Sequence, residues 1–141
     1  MMLISSDRFG DLEVAEERVL MFPEGLLGFP DARRFAMVDS HDTGMYFWLQ
    51  SVDDPALAFL SVVPWAFFPE YTVELPEAEE KALGIRSEED VLVLCLLTVQ
   101  RERGLITANL LGPLVVNTVD RVGRQVVLAE SGYPVRAPLA A

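Results

Sequence analysis

The sequence is poor in cysteine, histidine and basic residues. Cys95 is the only cysteine, so an intrachain disulfide cannot form. Lys and Arg number 11 against 22 Asp and Glu, which gives a formal net charge of −11 at pH 7. Nucleic-acid affinity depends largely on Lys and Arg side chains that neutralise phosphates, and anionic membranes attract basic segments. We therefore expect neither direct nucleic-acid binding nor membrane binding, whereas the charge favours a cationic protein partner.

Long apolar runs are also missing. The longest unbroken one spans seven residues, 91–97, whereas a membrane-spanning helix needs about 20. The N-terminal residues show no basic leader followed by an apolar stretch, so no signal peptide is visible, and we expect a cytoplasmic protein. Cys95 lies inside the run 91–97 without a Cys-x-x-Cys partner, which favours a small buried hydrophobe over a reactive thiol.

Motifs that support catalysis or cofactor binding are scarce. The sequence has no Gly-x-Ser-x-Gly elbow, no Gly-x-Gly-x-x-Gly and no Walker loop. The single histidine, His41, stands in Asp-Ser-His-Asp at 39–42. These side chains offer metal ligands, but a specific site wants more ligands on a rigid frame, so a solvated polar turn is favoured. We expect no enzyme, no cofactor and no metal.

Short apolar runs separated by turns dominate what is present. Of the 141 residues, 51% are hydrophobic, enough for one domain spanning 1–141. The runs predict about nine strands and one short helix at about 76–84, where Pro76, a Glu-rich first turn and Gly84 are typical helix signals. The predicted fold is mainly β: a small closed or partly closed antiparallel β-barrel-like domain. The predicted strands are 12–14, 18–22, 35–38, 46–49, 57–63, 91–99, 105–110, 114–119 and 125–129. Because the run 91–97 does not alternate, we expect its strand to be covered on both faces.

An aromatic cluster and an acidic run lie next to each other in the sequence. Residues 65–71 contain four aromatics, and residues 70–90 contain eight of the 22 acids. The rings belong either to the core or to a surface that anchors a partner. The acids form either a solvated helix face or an acidic patch that attracts a basic partner.

Several different motifs follow one another along nearly the whole chain, and in this order they resemble the FliW family of flagellar assembly factors. They are Phe-Pro-Glu-Gly-Leu-Leu-Gly-Phe at 22–29, Leu-Gln-Ser-Val at 49–52, Leu-Ala-Phe at 57–59, the segment 64–71, Thr-Ala-Asn-Leu-Leu-Gly-Pro-Leu-Val-Val-Asn at 107–117, Arg-Gln-Val-Val-Leu at 124–128, Tyr133 and Pro-Leu at 138–139. The chain departs from the family pattern at Leu27, where Pro is expected, and at Gly112, where Ala is expected. Both positions lie in predicted loops or turns.

The resemblance implies a β-barrel-like cytoplasmic protein with two protein partners. Proteins of this family bind flagellin as a chaperone and bind CsrA, a basic RNA-binding translational repressor. When flagellin is exported, the freed factor captures CsrA and releases flagellin messages for translation. These properties are expectations that the resemblance carries to this chain.

The adjacency of rings and acids predicts the protein-binding residues. Trp65, Phe67 and Tyr71 are expected to supply apolar contact, and Glu70 and Glu74 to contribute to the surface for the basic partner. The alternative function is a small β-barrel that carries an apolar ligand in its interior, although dense apolar side chains simply fill a small barrel. For Asn109 and Asn117 we favour a structural role, in which they satisfy backbone groups at strand ends.

Overall fold

The structure, a computed structural model, describes residues 1–40 and 44–139. These residues form eleven strands and one α-helix, with four short 3₁₀ turns. The elements are β1 Met2–Ser6, β2 Gly10–Val14, β3 Val19–Met21, β4 Arg34–Ser40, β5 Tyr46–Ser51, β6 Ala58–Val62, α1 Glu77–Leu83, β7 Val91–Gln100, β8 Leu105–Ala108, β9 Leu114–Asn117, β10 Val122–Gln125 and β11 Ala137–Pro138.

Seven strands pair into a partly closed ring. Their order is β7-β6-β5-β4-β3-β10-β9, and β9 returns to pair with β7. All of these pairings are antiparallel except β10–β3, which is parallel and contains a single residue pair, Val122 with Met21. The hairpin of β1 and β2 is a separate two-stranded sheet. This architecture confirms the prediction of a mainly β fold.

The long strand β7 joins the ring to a short side sheet. Its first half pairs with β9 and its second half pairs with β8, and β11 extends β8 on the outside. Between β8 and β9, residues 109–113 do not pair in the ladder with β7. The register of β9 against β7 is therefore shifted by three residues from that of β8 against β7. Asn109 stabilises this bulge, because its Oδ1 accepts a hydrogen bond of 2.9 Å from the N–H of Gly112. The structural role favoured for Asn109 is thereby confirmed.

Side chains on the two faces of β7 belong to two different cores. Leu94 belongs to the core inside the ring, whereas Cys95 belongs to an outer core beneath α1 and the segment 64–76. Val93, two residues before Cys95, lies on the same face of the strand. All three side chains are buried, as an unalternating apolar run predicts for a strand covered on both faces. The complete burial of Cys95 confirms the predicted small buried hydrophobe, and this burial raises the pKa of its thiol to about 12.

Helix α1 occupies the predicted position. It follows Pro76 and ends at Gly84, whose φ of +65° lies in the left-handed region that favours glycine. Leu83 is buried in the outer core. Asn117 holds the C-terminal end of the helix, because its Nδ2 donates to the carbonyls of Leu83 and Gly84 at 2.8 and 3.3 Å. This contact confirms that Asn117 satisfies backbone groups.

The strand predicted at 125–129 is wrong in its boundaries. The observed strand is β10, Val122–Gln125. Beyond it, the N–H groups of Val126 and Leu128 bond to carbonyls of the 109–113 bulge, at Pro113 and Leu111, and no regular ladder forms. The prediction also missed β1, whose sequence lacks a polar–apolar alternation, and β11, which is only two residues long. His41 lies outside the described residues.

Candidate functional site

The segment 64–76 crosses the outer face of the ring between β6 and α1. It begins with a 3₁₀ turn at Pro64–Ala66 and continues without regular structure to Pro76. Prolines at 64, 69 and 76 lack the N–H that a sheet ladder needs, which explains why this aromatic stretch does not become a central strand. The segment therefore packs on the outside of the sheet and does not pair within it.

Tyr71 fixes this segment to the core. Its side chain is only 4% exposed, and its hydroxyl donates a hydrogen bond of 2.7 Å to the carbonyl of Leu110. Its ring packs against Tyr133 with centroids 4.7 Å apart. Burial raises the pKa of Tyr71 above its ordinary value, because the ionised form would lose water without gaining a cation. Tyr71 is therefore a core residue that positions its neighbours.

Trp65 is exposed but held in place. Its side chain is 41% exposed, and its Nε1–H donates a hydrogen bond of 2.6 Å to the backbone carbonyl of Tyr71. The two rings also lie 6.1 Å apart. A tryptophan whose orientation is fixed before binding loses little conformational entropy when a partner covers it. This is the property expected of an interface anchor.

A groove of about 590 Å³ opens beside Trp65, and we call it the Trp65 groove. The segment 72–76 alternates: Val73 and Leu75 line this groove, while Glu74 lines a depression on the other side. The remaining lining residues of the Trp65 groove are Glu80, Ile85, Arg86, Ser87, Glu88, Val91, Val93 and Val115. The charged lining residues are two carboxylates, Glu80 and Glu88, and one guanidinium, Arg86. Apolar walls with this net negative rim suit a partner that is apolar at its centre and basic at its margins.

The five residues predicted to bind protein share one segment but not one patch. Trp65 faces the Trp65 groove, whereas Phe67, Glu70 and Tyr71 border a separate shallow groove that also contains Tyr133. Phe67 is half-buried and packs against Tyr46 with ring centroids 5.8 Å apart. Glu70 and Glu74 are both exposed.

The acidic run is also divided by the fold. Glu79 turns towards β10, where its Oε2 lies 2.6 Å from Nε of Arg124, and the same guanidinium lies 2.8 Å from Glu24. The hydrogen bond that Arg124 donates to Glu79 raises the pKa of Arg124. Glu77 faces solvent and lies 3.2 Å from Lys81. Part of the negative charge is therefore paired, and the rest lies around α1 and the groove rim.

Sequence reasoning missed the apolar residues that line the Trp65 groove beside Trp65, among them Val73, Leu75 and Ile85. The polar–apolar alternation of 72–76 is a usable signal for the first two, because it places both side chains on one side of an extended chain. Ile85 carries no such signal, since its position depends on how α1 ends.

Comparisons with known proteins support one family. A family model described as "FliW protein" matches residues 3–139. The chain is 38% identical over 138 residues to the flagellar assembly factor FliW of Bdellovibrio bacteriovorus, which covers 98% of this chain and 79% of that protein. It is 42% identical over 124 residues to the flagellar assembly factor FliW of Symbiobacterium thermophilum, which covers 87% and 90%. The chain belongs to the FliW family.

A solved structure supports the same conclusion for the fold. The crystal structure of a flagellar assembly factor FliW matches this chain with a TM-score of 0.89 and 34% identity, covering 99% of this chain and 98% of that one. The partly closed ring with one short helix is therefore the FliW fold.

The interior of the ring bears on the alternative of an apolar-ligand carrier. In this FliW-family chain the ring is filled by fully buried side chains, among them Phe22, Phe35, Leu49, Leu94 and Leu114. The Trp65 groove, by contrast, lies on the outer surface, next to the outer core. This arrangement favours a protein binder over a carrier.

Residues 1–40 and 44–139 contain neither a candidate metal centre nor a candidate membrane-spanning helix. Within these ranges, no group of three or more His, Cys, Asp or Glu side chains is arranged to hold a metal ion. No helix in the described part of the chain has the length and apolar character needed to cross a membrane.

Proposed function

We propose that this FliW-family chain binds flagellin as a cytoplasmic chaperone. When free of flagellin, it binds and antagonises the translational repressor CsrA and so relieves repression of flagellin synthesis. The relatives at 38% and 42% identity are named flagellar assembly factors, which supports a role in the flagellar system. Its action is proposed to rest on protein binding and not on catalysis.

The proposal that the chain binds flagellin rests on one observation: the side chain of Trp65 is exposed, fixed in orientation and lies beside the Trp65 groove. Flagellin termini resemble amphipathic helices when partnered, and such helices dock their apolar face in a groove with a polar rim. Val73, Leu75 and Ile85 supply apolar walls, and Glu80 and Glu88 supply the rim. We assign direct contact to Trp65, and a positioning role to Tyr71 and Phe67.

The charge of the chain supports the CsrA half. CsrA is basic because it binds RNA, and a chain of net charge −11 attracts such a partner over long range. Exposed Glu70 and Glu74 remain candidates for this attraction. Binding would bring negative charge near the RNA path and weaken RNA affinity without occupying the RNA site. By linkage, RNA would weaken the binding of this chain to the same extent.

The flagellin half is tested by replacing Trp65 with Ser. We expect the affinity for flagellin, measured by isothermal titration calorimetry, to fall about tenfold or more, because a central tryptophan is a frequent hot spot. The matched control is Leu3→Ser, since Leu3 is 70% exposed on the β1–β2 hairpin. Thermal unfolding of both variants verifies that they remain folded. Unchanged flagellin affinity in Trp65→Ser would remove Trp65 from the site.

The CsrA half is tested by titrating CsrA into the Glu70→Lys/Glu74→Lys variant at two salt concentrations. We expect weaker binding and a flatter salt dependence than in the unaltered chain, because exposed charges act through screened attraction. A competition experiment then tests the switch: CsrA should be captured only when flagellin is absent. Equal capture of CsrA in the presence of excess flagellin contradicts mutual exclusion.

A further inference from the structure

We propose that the loop 22–30, which includes Glu24, forms together with the neighbouring carboxylates of α1 a second docking surface that binds the basic partner. This inference rests on the proposed function, in which CsrA is that partner. It places the basic partner on a surface other than the Trp65 groove, so the mutual exclusion of the two partners is a coupling between two surfaces and not a competition for one. Four features of the loop support it: its rigidity, its attachment to β10, its exposed apolar side chains and its charge.

The loop is rigid because its backbone is closed on itself. The N–H of Leu26 donates to the carbonyl of Phe29 at 3.1 Å, and the N–H of Phe29 donates back at 2.8 Å. Gly25 has φ +70°, and a Cβ there would lie 2.6 Å from the carbonyl oxygen of Phe29. Only glycine fits such a contact at such a backbone angle. Leu26 is buried in the ring core and fixes the base of the loop.

Strand β10 holds the tip of the loop from the side. Gln125 accepts a hydrogen bond of 2.8 Å from the N–H of Leu27, and its amide donates to the carbonyl of Gly112 at 2.9 Å. Arg124 bonds to Glu24 in the loop and to Glu79 in α1. The loop, the 109–113 bulge and α1 are therefore joined into one surface through two adjacent side chains.

This rigid loop nevertheless presents large apolar side chains to water. Leu27 is 62% exposed and Phe29 is 43% exposed. Phe29 rests with its edge on Phe59, at a centroid distance of 5.1 Å, so its position is also fixed. Apolar side chains that are ordered yet solvent-exposed lose little conformational entropy when a partner covers them, and clustered exposure of this kind marks interaction sites.

The charge around the loop selects the partner. Glu24 is exposed in the loop, and the acids of α1 lie across Arg124 from it. Arg124 itself is matched by two carboxylates, so its cluster keeps a net negative charge. An apolar anchor bordered by acids complements a positively charged protein surface, in which charge sets the association rate and the anchor sets the dissociation rate.

The experiment compares two exposed leucines. Leu27→Ser and Leu3→Ser remove similar apolar side chains, 62% and 70% exposed, without changing charge. CsrA and flagellin are titrated separately into each variant and into the unaltered chain. We expect Leu27→Ser to weaken CsrA binding about tenfold and to leave flagellin binding within about twofold. Leu3→Ser should leave both affinities unchanged.

A charge-matched pair tests the acidic half of the surface. Glu24→Gln/Glu77→Gln and Glu13→Gln/Glu102→Gln remove two exposed charges each, so the net charge is identical. We expect only the first pair to slow CsrA association, by about threefold or more at low salt, because local potential and not total charge steers encounter. Equal association rates in both pairs would contradict the assignment of the basic partner to this surface.

The outcomes separate this inference from the proposed function. If the unaltered chain binds CsrA and Leu27→Ser binds it equally well, the second docking surface is wrong and the proposed function stands. If the unaltered chain binds neither protein, the proposed function itself fails. If Leu27→Ser loses both partners while thermal unfolding shows it folded, the two partners share this surface and the separation is wrong.

Discussion

The segment 64–76 and the loop 22–30 are both rich in apolar residues, but they use them in opposite ways. The segment contains four aromatics within seven residues, and the structure turns Tyr71 into the core and leaves mainly Trp65 in solvent. The loop contains two aromatics, and its exposed large apolar residues, Leu27 and Phe29, are fixed in position by a closed backbone and by β10.

This difference shows that the number of apolar residues in a segment does not predict which of them are exposed to solvent. Tyr71 is buried because its hydroxyl finds the carbonyl of Leu110, so the ring can enter the core without leaving a polar group unpaired. Leu27 stays outside because its own N–H is held by Gln125 at the surface. A partner-binding role follows from exposure in a fixed geometry, and the density of rings in the sequence does not predict it.

The largest expected effect is the loss of stability when Tyr71, the buried aromatic of the segment 64–76, is replaced. Tyr71→Ala should lower the free energy of unfolding by about 3–5 kcal/mol, because it removes a buried ring and a buried hydrogen bond. Leu27→Ala should change it by less than about 0.5 kcal/mol, since the side chain is exposed. Urea unfolding of both variants measures the difference. A stable Tyr71→Ala variant that only loses partner binding would make Tyr71 a contact residue.

A smaller effect tests the rigidity of the loop. Gly25→Ala should destabilise the chain by about 2–3 kcal/mol, because it combines a positive φ with a steric conflict at the Phe29 carbonyl. Gly28 is the matched control: its φ is +84°, and a Cβ there meets no atom within 4 Å. Gly28→Ala should therefore cost only about 1 kcal/mol. Equal losses in urea unfolding would show that the loop closes less tightly than its backbone contacts indicate.

The smallest expected effect is the pH dependence of stability that the buried hydroxyl of Tyr71 causes. Burial raises the pKa of Tyr71 in the folded chain above its ordinary value of 10.0. The unfolded chain therefore releases this proton first, and stability present below pH 10 falls as the pH rises above it. Tyr71→Phe should lose about 1 kcal/mol at neutral pH through the missing hydrogen bond.

The pH dependence of the two chains is then compared by chemical unfolding between pH 8 and pH 11. Above pH 10, the free energy of unfolding of the unaltered chain should fall, relative to that of Tyr71→Phe, by up to about 1.4 kcal/mol per pH unit. The stability difference between the two should therefore narrow as the pH rises. Parallel curves would show that the Tyr71 hydroxyl reaches solvent.

Local patterns predicted most of the secondary structure. The helix signals at Pro76 and Gly84 gave 76–84, and the observed helix is Glu77–Leu83. The unalternating run 91–97 correctly indicated a strand covered on both faces. The segment 125–129 misled because its apolar residues bond to the 109–113 bulge, and nothing local distinguishes such pairing from a ladder.

The candidate site was predicted less completely. The sequence placed Trp65 and Tyr71 in one cluster, but the burial of Tyr71 depends on partners far along the chain, Leu110 and Tyr133. The walls of the Trp65 groove come from three stretches that meet only in the folded chain: the segment 64–76, the turn after α1, and strands β7 and β9.

Residue types and their order determined the mainly β fold, the single helix, the net charge of −11 and the resemblance to the FliW family, because turn chemistry, periodicity and charge are local properties. Tertiary structure alone decided which apolar residues face water. Gln125 reaches the N–H of Leu27 across 98 positions of sequence, and Arg124 bridges Glu24 and Glu79. Exposure depends on such long-range contacts, so only the folded chain reveals the surfaces offered to partners.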